Sequence, residues 1–126
     1  MRIIDSNLKI HERIVPKKWG KEIIVHNSEA YCGKLLVFKK DAKFSMHFHL
    51  KKKETWYVSS GTFLLKYIDT RTATPMEKEL TMGMIVEVLQ GDPHQLIALT
   101  KGIIFEVSTQ HFDDDSYRIG KGDSQK

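Results

Sequence analysis

Apolar and polar positions alternate along this chain in short runs. The runs cover residues 21–26, 31–38, 44–48, 54–59, 62–68, 85–89, 94–99 and 103–108, and each is rich in Val, Ile, Phe, Tyr or Thr. Such runs are strand signals, because a period of two sends successive side chains to opposite faces of a sheet. No segment sustains the 3.6-residue apolar period of an amphipathic helix. Gly, Pro, Asp and Asn separate the runs. Ser60-Gly61 and Lys101-Gly102 read as hairpin turns. Many short strands at regular spacing predict an all-β sandwich or barrel. There is no repeat, low-complexity tract or linker, and the polar stretch from Gly120 to Lys126 is expected to fray.

Composition narrows the class. A length of 126 residues fits one domain with a buried core. Apolar residues at 40% and charged residues at 29% are ordinary for a soluble globular protein. No apolar run is long enough to span a membrane. The opening MRIIDSNLKIHER is interrupted by Asp5, Asn7 and Lys9 and does not read as a signal peptide. The single cysteine, Cys32, cannot form an internal disulfide, which fits a cytoplasmic location; in an apolar strand it is expected to be inert. The net charge of +4 is a mild excess that attracts anionic small molecules, sugar phosphates among them. Nucleic acid is disfavoured: the lysines are scattered apart from Lys51, Lys52 and Lys53, which read as a solvated turn, and no nucleic-acid motif is present.

The candidate chemistry lies in His47, His49, Glu54 and His94. Three imidazoles and a carboxylate suit a divalent transition metal. His47 and His49 are two apart and project together from a strand. Glu54 opens the next strand-like run, and His94 can join them only if the chain folds back. The pattern predicts a metal held inside a β-barrel. The set suits Mn, Fe, Ni, Co or Zn, one ion per chain, and disfavours Ca or Mg. His11, His26 and His111 have no motif around them and read as surface or satisfied residues.

These residues sit in two motifs that resemble the cupin family. His47-x-His49-x4-Glu54-x6-Gly61 matches the first, and Gly83-x5-Leu89-x-Gly91-x2-His94-x3-Ala98 the second. The family has Gly where this chain has Asp41, Pro at Leu89 and Asn at Ala98; no departure touches a ligand position. The resemblance implies a double-stranded β-helix, or jelly-roll, cupin barrel. It is expected as a single domain over 1–126, with a barrel core over about 20–110, an N-terminal strand or arm over 1–19 and a polar tail over 119–126. It also implies a homodimer. Some members use a His in sugar epimerisation or ketoisomerisation without metal, which here would make His47 or His49 a base.

The flanks resemble the mannose-6-phosphate isomerase branch. Pro16-Lys17-Lys18-Trp19-Gly20-Lys21-Glu22 resembles its PWG-x-E opening, and the run Glu54 to Thr62 its E-x-W-x-V-x-SGT segment. Glu106-Val107-Ser108-Thr109-Gln110, with Asp113, Asp114, Asp115 and Arg118, resembles its closing part. The implied reaction is metal-dependent aldose–ketose isomerisation of a sugar or sugar phosphate, with the metal as Lewis acid. General-base candidates are Lys66, Glu87 and Glu106. Substrate-binding candidates are Trp56, Lys51, Lys53 and Arg118, the cations as phosphate partners. Met46, Phe48, Tyr57 and Phe63 are assigned to an outer layer. Two alternatives share the ligand set: an Fe(II) dioxygenase, and a non-catalytic sugar- or metal-binding module. A nucleotidyltransferase or DNA-binding partner domain is not expected within these residues.

Overall fold

The computed structural model describes residues 1–4 and 13–126, so His11 lies outside the described residues. The strands in chain order are β1 (Ile14–Lys17), β2 (Gly20–Asn27), β3 (Cys32–Phe38), β4 (Met46–Phe48), β5 (Glu54–Ser60), β6 (Phe63–Asp69), β7 (Thr74–Leu80), β8 (Ile85–Val88), β9 (His94–Ala98), β10 (Gly102–Ser108) and β11 (Tyr117–Gly120). A 3-10 turn follows at Asp123–Gln125. No helix among the described residues is long and apolar enough to cross a membrane.

The strands form two antiparallel sheets, ordered β1-β2-β3-β10-β5-β8 and β11-β4-β9-β6-β7. From β3 to β6, and again from β7 to β11, the chain passes from one sheet to the other at each connection. That alternation is the expected all-β jelly-roll. It also corrects the reading of two turns: Ser60-Gly61 and Lys101-Gly102 join strands of different sheets, and are not hairpins. The two turns pack on each other, so a Cβ at Gly61 would meet the Lys101 carbonyl oxygen at 2.6 Å.

Alternation decides what enters the core. In β3, β5 and β10 every second residue is buried. Leu36, Phe38, Trp56, Val58 and Ile104 from one sheet meet Phe63, Leu65, Leu96 and Ala98 from the other. Each large side chain removed from water contributes about 1.5–3 kcal/mol before entropy is counted. Phe63 is fully buried and belongs to this core, not to an outer layer, because β6 begins with its inward position. Ala98, in place of the family's Asn, is also fully buried. Asp41, in place of Gly, keeps a left-handed backbone with φ of 65°, a conformation that Asp tolerates better than most residues.

Three strands escaped the sequence pattern. β7 reads TPMEKEL and is exposed at all but its last residue, so it carries no apolar period. β1 shows no apolar alternation and lies within the N-terminal strand or arm expected over 1–19, and β11 is exposed at all but its last residue. The tail is docked where fraying was expected. The Lys43 N–H donates to Asp123 Oδ2 at 2.9 Å and the Asp123 N–H to the Lys43 carbonyl at 2.9 Å. His26 is satisfied, stacking on Tyr31 with ring centres 4.0 Å apart and meeting the Ser28 hydroxyl at 2.9 Å. Cys32 is buried, and burial pushes its thiol above the ordinary range, which leaves it unreactive.

The Trp19-Gly20 pair shows why one flanking motif is there. Trp19 is buried and stacks on Phe38 with centroids 4.5 Å apart. Gly20 then enters β2 at φ of 149°, against the Val37 carbonyl, where a Cβ would collide with backbone. Gly20→Ala is therefore expected to destabilise by about 2 kcal/mol or more, read as a lower midpoint in urea denaturation; an unchanged midpoint would mean that the turn relaxes freely.

Candidate metal centre

β4 carries His47, His49 lies just beyond its end, and β9 opens on His94. His47 and His94 are direct cross-strand partners, so their side chains leave the same face of the sheet. One ligand nitrogen from each of the three imidazoles lies within 4.8 Å of the others. Each ring is fixed from behind. His47 Nδ1 lies 2.7 Å from the Ser45 carbonyl, His49 Nδ1 2.6 Å from the Asp115 carbonyl, and His94 Nδ1 2.8 Å from the Asp92 carbonyl. A carbonyl only accepts, so each Nδ1 carries the proton and each Nε2 keeps its lone pair. Burial, reinforced by the neighbouring imidazoles, pushes His47 down to about 2. Burial likewise takes His94 down to about 3, against the opposing pull of the Asp92 carbonyl. Both rings are neutral at ordinary pH, the state in which imidazole ligates.

Glu54 stands beside them. Its Oε1 is 3.6 Å from His94 Nε2 and its Oε2 is 3.7 Å from His49 Nε2. The Trp56 indole N–H donates to Oε1 at 2.9 Å. Lys52 Nζ lies 2.9 Å from Oε2 as an ion pair. His94 Nε2 and Glu54 Oε2 are nonetheless buried polar atoms with no hydrogen-bond partner. Glu54 Oε2 has the Lys52 ammonium beside it, but His94 Nε2 is an orphaned buried acceptor, rare in folded proteins, and its place among three clustered imidazoles fits a bound cation. Phe44 and Trp56 pack edge-on against His94, at centroid distances of 6.0 and 5.3 Å.

The cluster forms one end of a cavity of about 440 Å³ between the sheets. Its wall is charged and alternates in sign. Lys52 Nζ also reaches Glu106 Oε2 at 3.2 Å and His111 Nδ1 at 3.2 Å. Lys34, directly opposite Glu106 in the β3–β10 register, pairs with Glu22 at 3.4 Å. Burial alone would lower the Lys52 ammonium, but Glu106 and Glu54 outweigh it and raise the group above its ordinary range. Burial raises Glu106, with Glu54 adding to the effect and Lys52 and Lys34 opposing it. A wider cleft of about 670 Å³ opens between β6, β7 and β8. It touches His94 but none of the other three site residues.

Several sequence expectations change here. Lys52 is no part of a solvated turn: it is 4% exposed and sits between two carboxylates. Lys51 turns its ammonium over the Phe112 ring at 4.8 Å, and Lys53 is exposed. Neither lines the cavity. Of the proposed bases only Glu106 faces it. Lys66 points outward to Glu77 because Leu65 takes the inward position of β6, and Glu87 is exposed because Val86 and Val88 take those of β8. Trp56 is inward and 1% exposed, and Arg118, opposite His47 in the β4–β11 register, lines the cavity. His111, read as a surface or satisfied residue, is half-buried on the cavity wall beside Lys52.

Asp115 is the site residue that the sequence hid. It is 2% exposed. Its Oδ1 accepts from the Leu50 N–H at 2.9 Å and its Oδ2 from the Lys52 N–H at 3.1 Å, while the Lys51 N–H lies 3.2 Å from both. Those amides outweigh burial and hold its carboxyl below the ordinary range. One residue thus shapes the loop that delivers Lys52 and, through its carbonyl, aims His49. Its sequence trace was its place in the closing segment that resembles the family, among three consecutive aspartates with nothing to single it out.

A jelly-roll of two antiparallel sheets enclosing a histidine cluster defines a cupin barrel. Solved structures agree at the level of fold. Oxalate decarboxylase from Bacillus subtilis superposes with a TM-score of 0.73 at 19% identity, over 84% of this chain and 29% of that one. The capsular polysaccharide assembling protein CapF from Staphylococcus aureus gives 0.72 at 16% identity, over 85% and 32%. KdgF from Halomonas sp. gives 0.64 at 18% identity, over 75% and 81%. Within the cupins, the family model described as "Mannose-6-phosphate isomerase C-terminal" matches residues 4–107, and the chain belongs to that family. A mannose-1-phosphate guanylyltransferase of Salmonella muenchen is 29% identical over 109 residues, which are 83% of this chain and 22% of that protein.

If Asp115 positions His49, Asp115→Ala weakens metal binding by about 10–100-fold without removing a ligand. Titration with Co(II), followed by its visible absorption, reads both the affinity and the coordination geometry; identical curves for variant and wild type would make Asp115 a loop residue only.

Proposed function

We propose that this chain is a metal-dependent cupin that interconverts an aldose and a ketose, as a sugar phosphate. One divalent transition metal per chain, Mn, Fe, Ni, Co or Zn, is held by His47, His49 and His94, with Glu54 as the fourth ligand. Manganese is the ion named for oxalate decarboxylase, a protein that shares this fold. When bound, the metal supplies Lewis-acid stabilisation of negative charge on substrate oxygens.

The observation that carries the reading is the buried Glu106–Lys52 pair on the cavity wall beside the ligand cluster. Isomerisation needs a base that removes a proton from the carbon next to the carbonyl and returns one to the neighbouring carbon. Glu106 is the buried carboxylate placed for it, with burial raising its affinity for the proton. Lys52 holds Glu106 Oε2 by a charge-assisted hydrogen bond at 3.2 Å and so fixes its orientation. Glu22 and Lys34, farther along the wall, offer acceptors and donors to sugar hydroxyls. Arg118 has no ion-pair partner among the described residues and meets the phosphate.

The polar wall favours this reading over an Fe(II) dioxygenase, which suits a more apolar pocket. It does not by itself separate an isomerase from a sugar-binding module, so the test is kinetic. The metal-loaded protein is expected to interconvert mannose 6-phosphate and fructose 6-phosphate. In deuterium oxide, NMR then shows label entering at carbon 2. Glu106→Gln should lower kcat by about 10²–10⁴-fold with metal content unchanged. Label exchange that survives in Glu106→Gln rules out this base, and no turnover of any hexose phosphate by the loaded wild type rules out the isomerase.

A further inference from the structure

The apolar core is incompletely covered at one place. Tyr67, Met84 and Val86 pack against it yet stay half-exposed, and all three line the cleft of about 670 Å³. The cleft exists because β7 and β8 are free edges of their sheets: β7 pairs only with β6, and β8 only with β5. The short link over residues 81–84 ties the two edges together at one end, where the Val58 N–H of β5 donates to the Met84 carbonyl at 3.0 Å. At the other end they part, and the cleft opens between the turn at 69–71 and Asp92-Pro93. Tyr67 is the cross-strand partner of His94, and His94 stands between this cleft and the metal cavity.

Lys78 decides what fits there. It is the cross-strand partner of Leu65, an inward residue of β6, so its side chain leaves the inner face of β7 beside the apolar floor. The other charges on the lining are engaged or turned away. Arg71 and Asp69 pair at 3.5 Å, Asp92 Oδ2 accepts the Leu89 N–H at 3.0 Å, and Glu87 takes an outward position of β8. Lys78 has no ion-pair partner among the described residues; its neighbour Glu77 meets Lys66. A cleft of this size, with an apolar floor and one unmatched charge, has the makeup of a small-molecule site. An inward charge on an edge strand also opposes pairing with a further strand, which disfavours a peptide as the occupant. The positive charge fixes the sign of the ligand. A lysine ammonium acts as a point charge and takes a carboxylate, sulfonate or phosphate alike.

We propose that this cleft binds a small amphipathic anion, its apolar body on Tyr67, Met84 and Val86 and its charged head at Lys78. The site lies outside the metal cavity, and the proposal does not depend on the reaction. Anilinonaphthalene sulfonate, an aromatic body with one anionic group, is the first probe. The full, metal-loaded chain should bind one molecule of it with a Kd of roughly 10–100 µM, an ordinary efficiency for a ligand of this size, read by calorimetry and by the fluorescence of the probe. Decanoate should displace it, and decanol about 10-fold less well or worse, because decanol makes no charge-assisted bond to Lys78. Lys78→Gln should abolish that preference for decanoate and Lys78→Arg should keep it, with metal content and circular dichroism unchanged in both. No saturable binding of the probe, or none that decanoate displaces, overturns the proposal. Binding in which decanol equals decanoate, or a preference that survives in Lys78→Gln, equally overturns it and leaves Lys78 as a guard of the edge strand.

Discussion

Three ring N–H groups that donate to main-chain carbonyls set the chemistry of this barrel. The carbonyls of Ser45, Asp92 and Asp115 hold the Nδ1 atoms of His47, His94 and His49. An imidazole on a free side chain samples several rotamers and both tautomers. Here the backbone removes both freedoms and points three lone pairs at one place. Two of the three carbonyls lie two residues before the histidine they hold, so the motif builds part of its own support. The third comes from 66 residues away, which makes the C-terminal segment part of the site.

The cavity wall poses a harder physical question. Lys34, Lys52, Glu54 and Glu106 are all 5% exposed or less. Burying four charges in so small a protein costs several kcal/mol per ion unless each is paired, and an apolar core of equal volume would be as stable or more so. Alternation of sign along the wall, Glu22 to Lys34 and Glu106 to Lys52 to Glu54, answers the pairing. It does not explain why charge is there at all. The proposed isomerase site, which binds a polar substrate and moves a proton, would explain it.

The fold and the histidines were legible because both rest on local pattern. Alternation gave eight strands close to their observed places, and the two motifs placed three imidazoles that the register of β4 and β9 then joined. What could not be read depends on contacts between distant segments. Lys52 looks like any lysine in a triple run until Asp115 turns the loop inward. Lys66 and Glu106 carry equal promise in one dimension, and only the phase of each strand decides that one faces Glu77 in solvent and the other Lys52 in the cavity. β7 was missed because an exposed edge strand has no apolar face to reveal it. The docked tail was missed because its bonds are to backbone, which any sequence supplies.

Every proposed role in this cavity rests on a metal bound by His47, His49 and His94. Its most direct test is elemental mass spectrometry on protein purified without an affinity metal, for wild type and His94→Ala. Near one Mn, Fe, Ni, Co or Zn per wild-type chain is expected, with loss of most of it in the variant. A wild-type chain that stays metal-free after reloading, or a variant that keeps its metal, would contradict it.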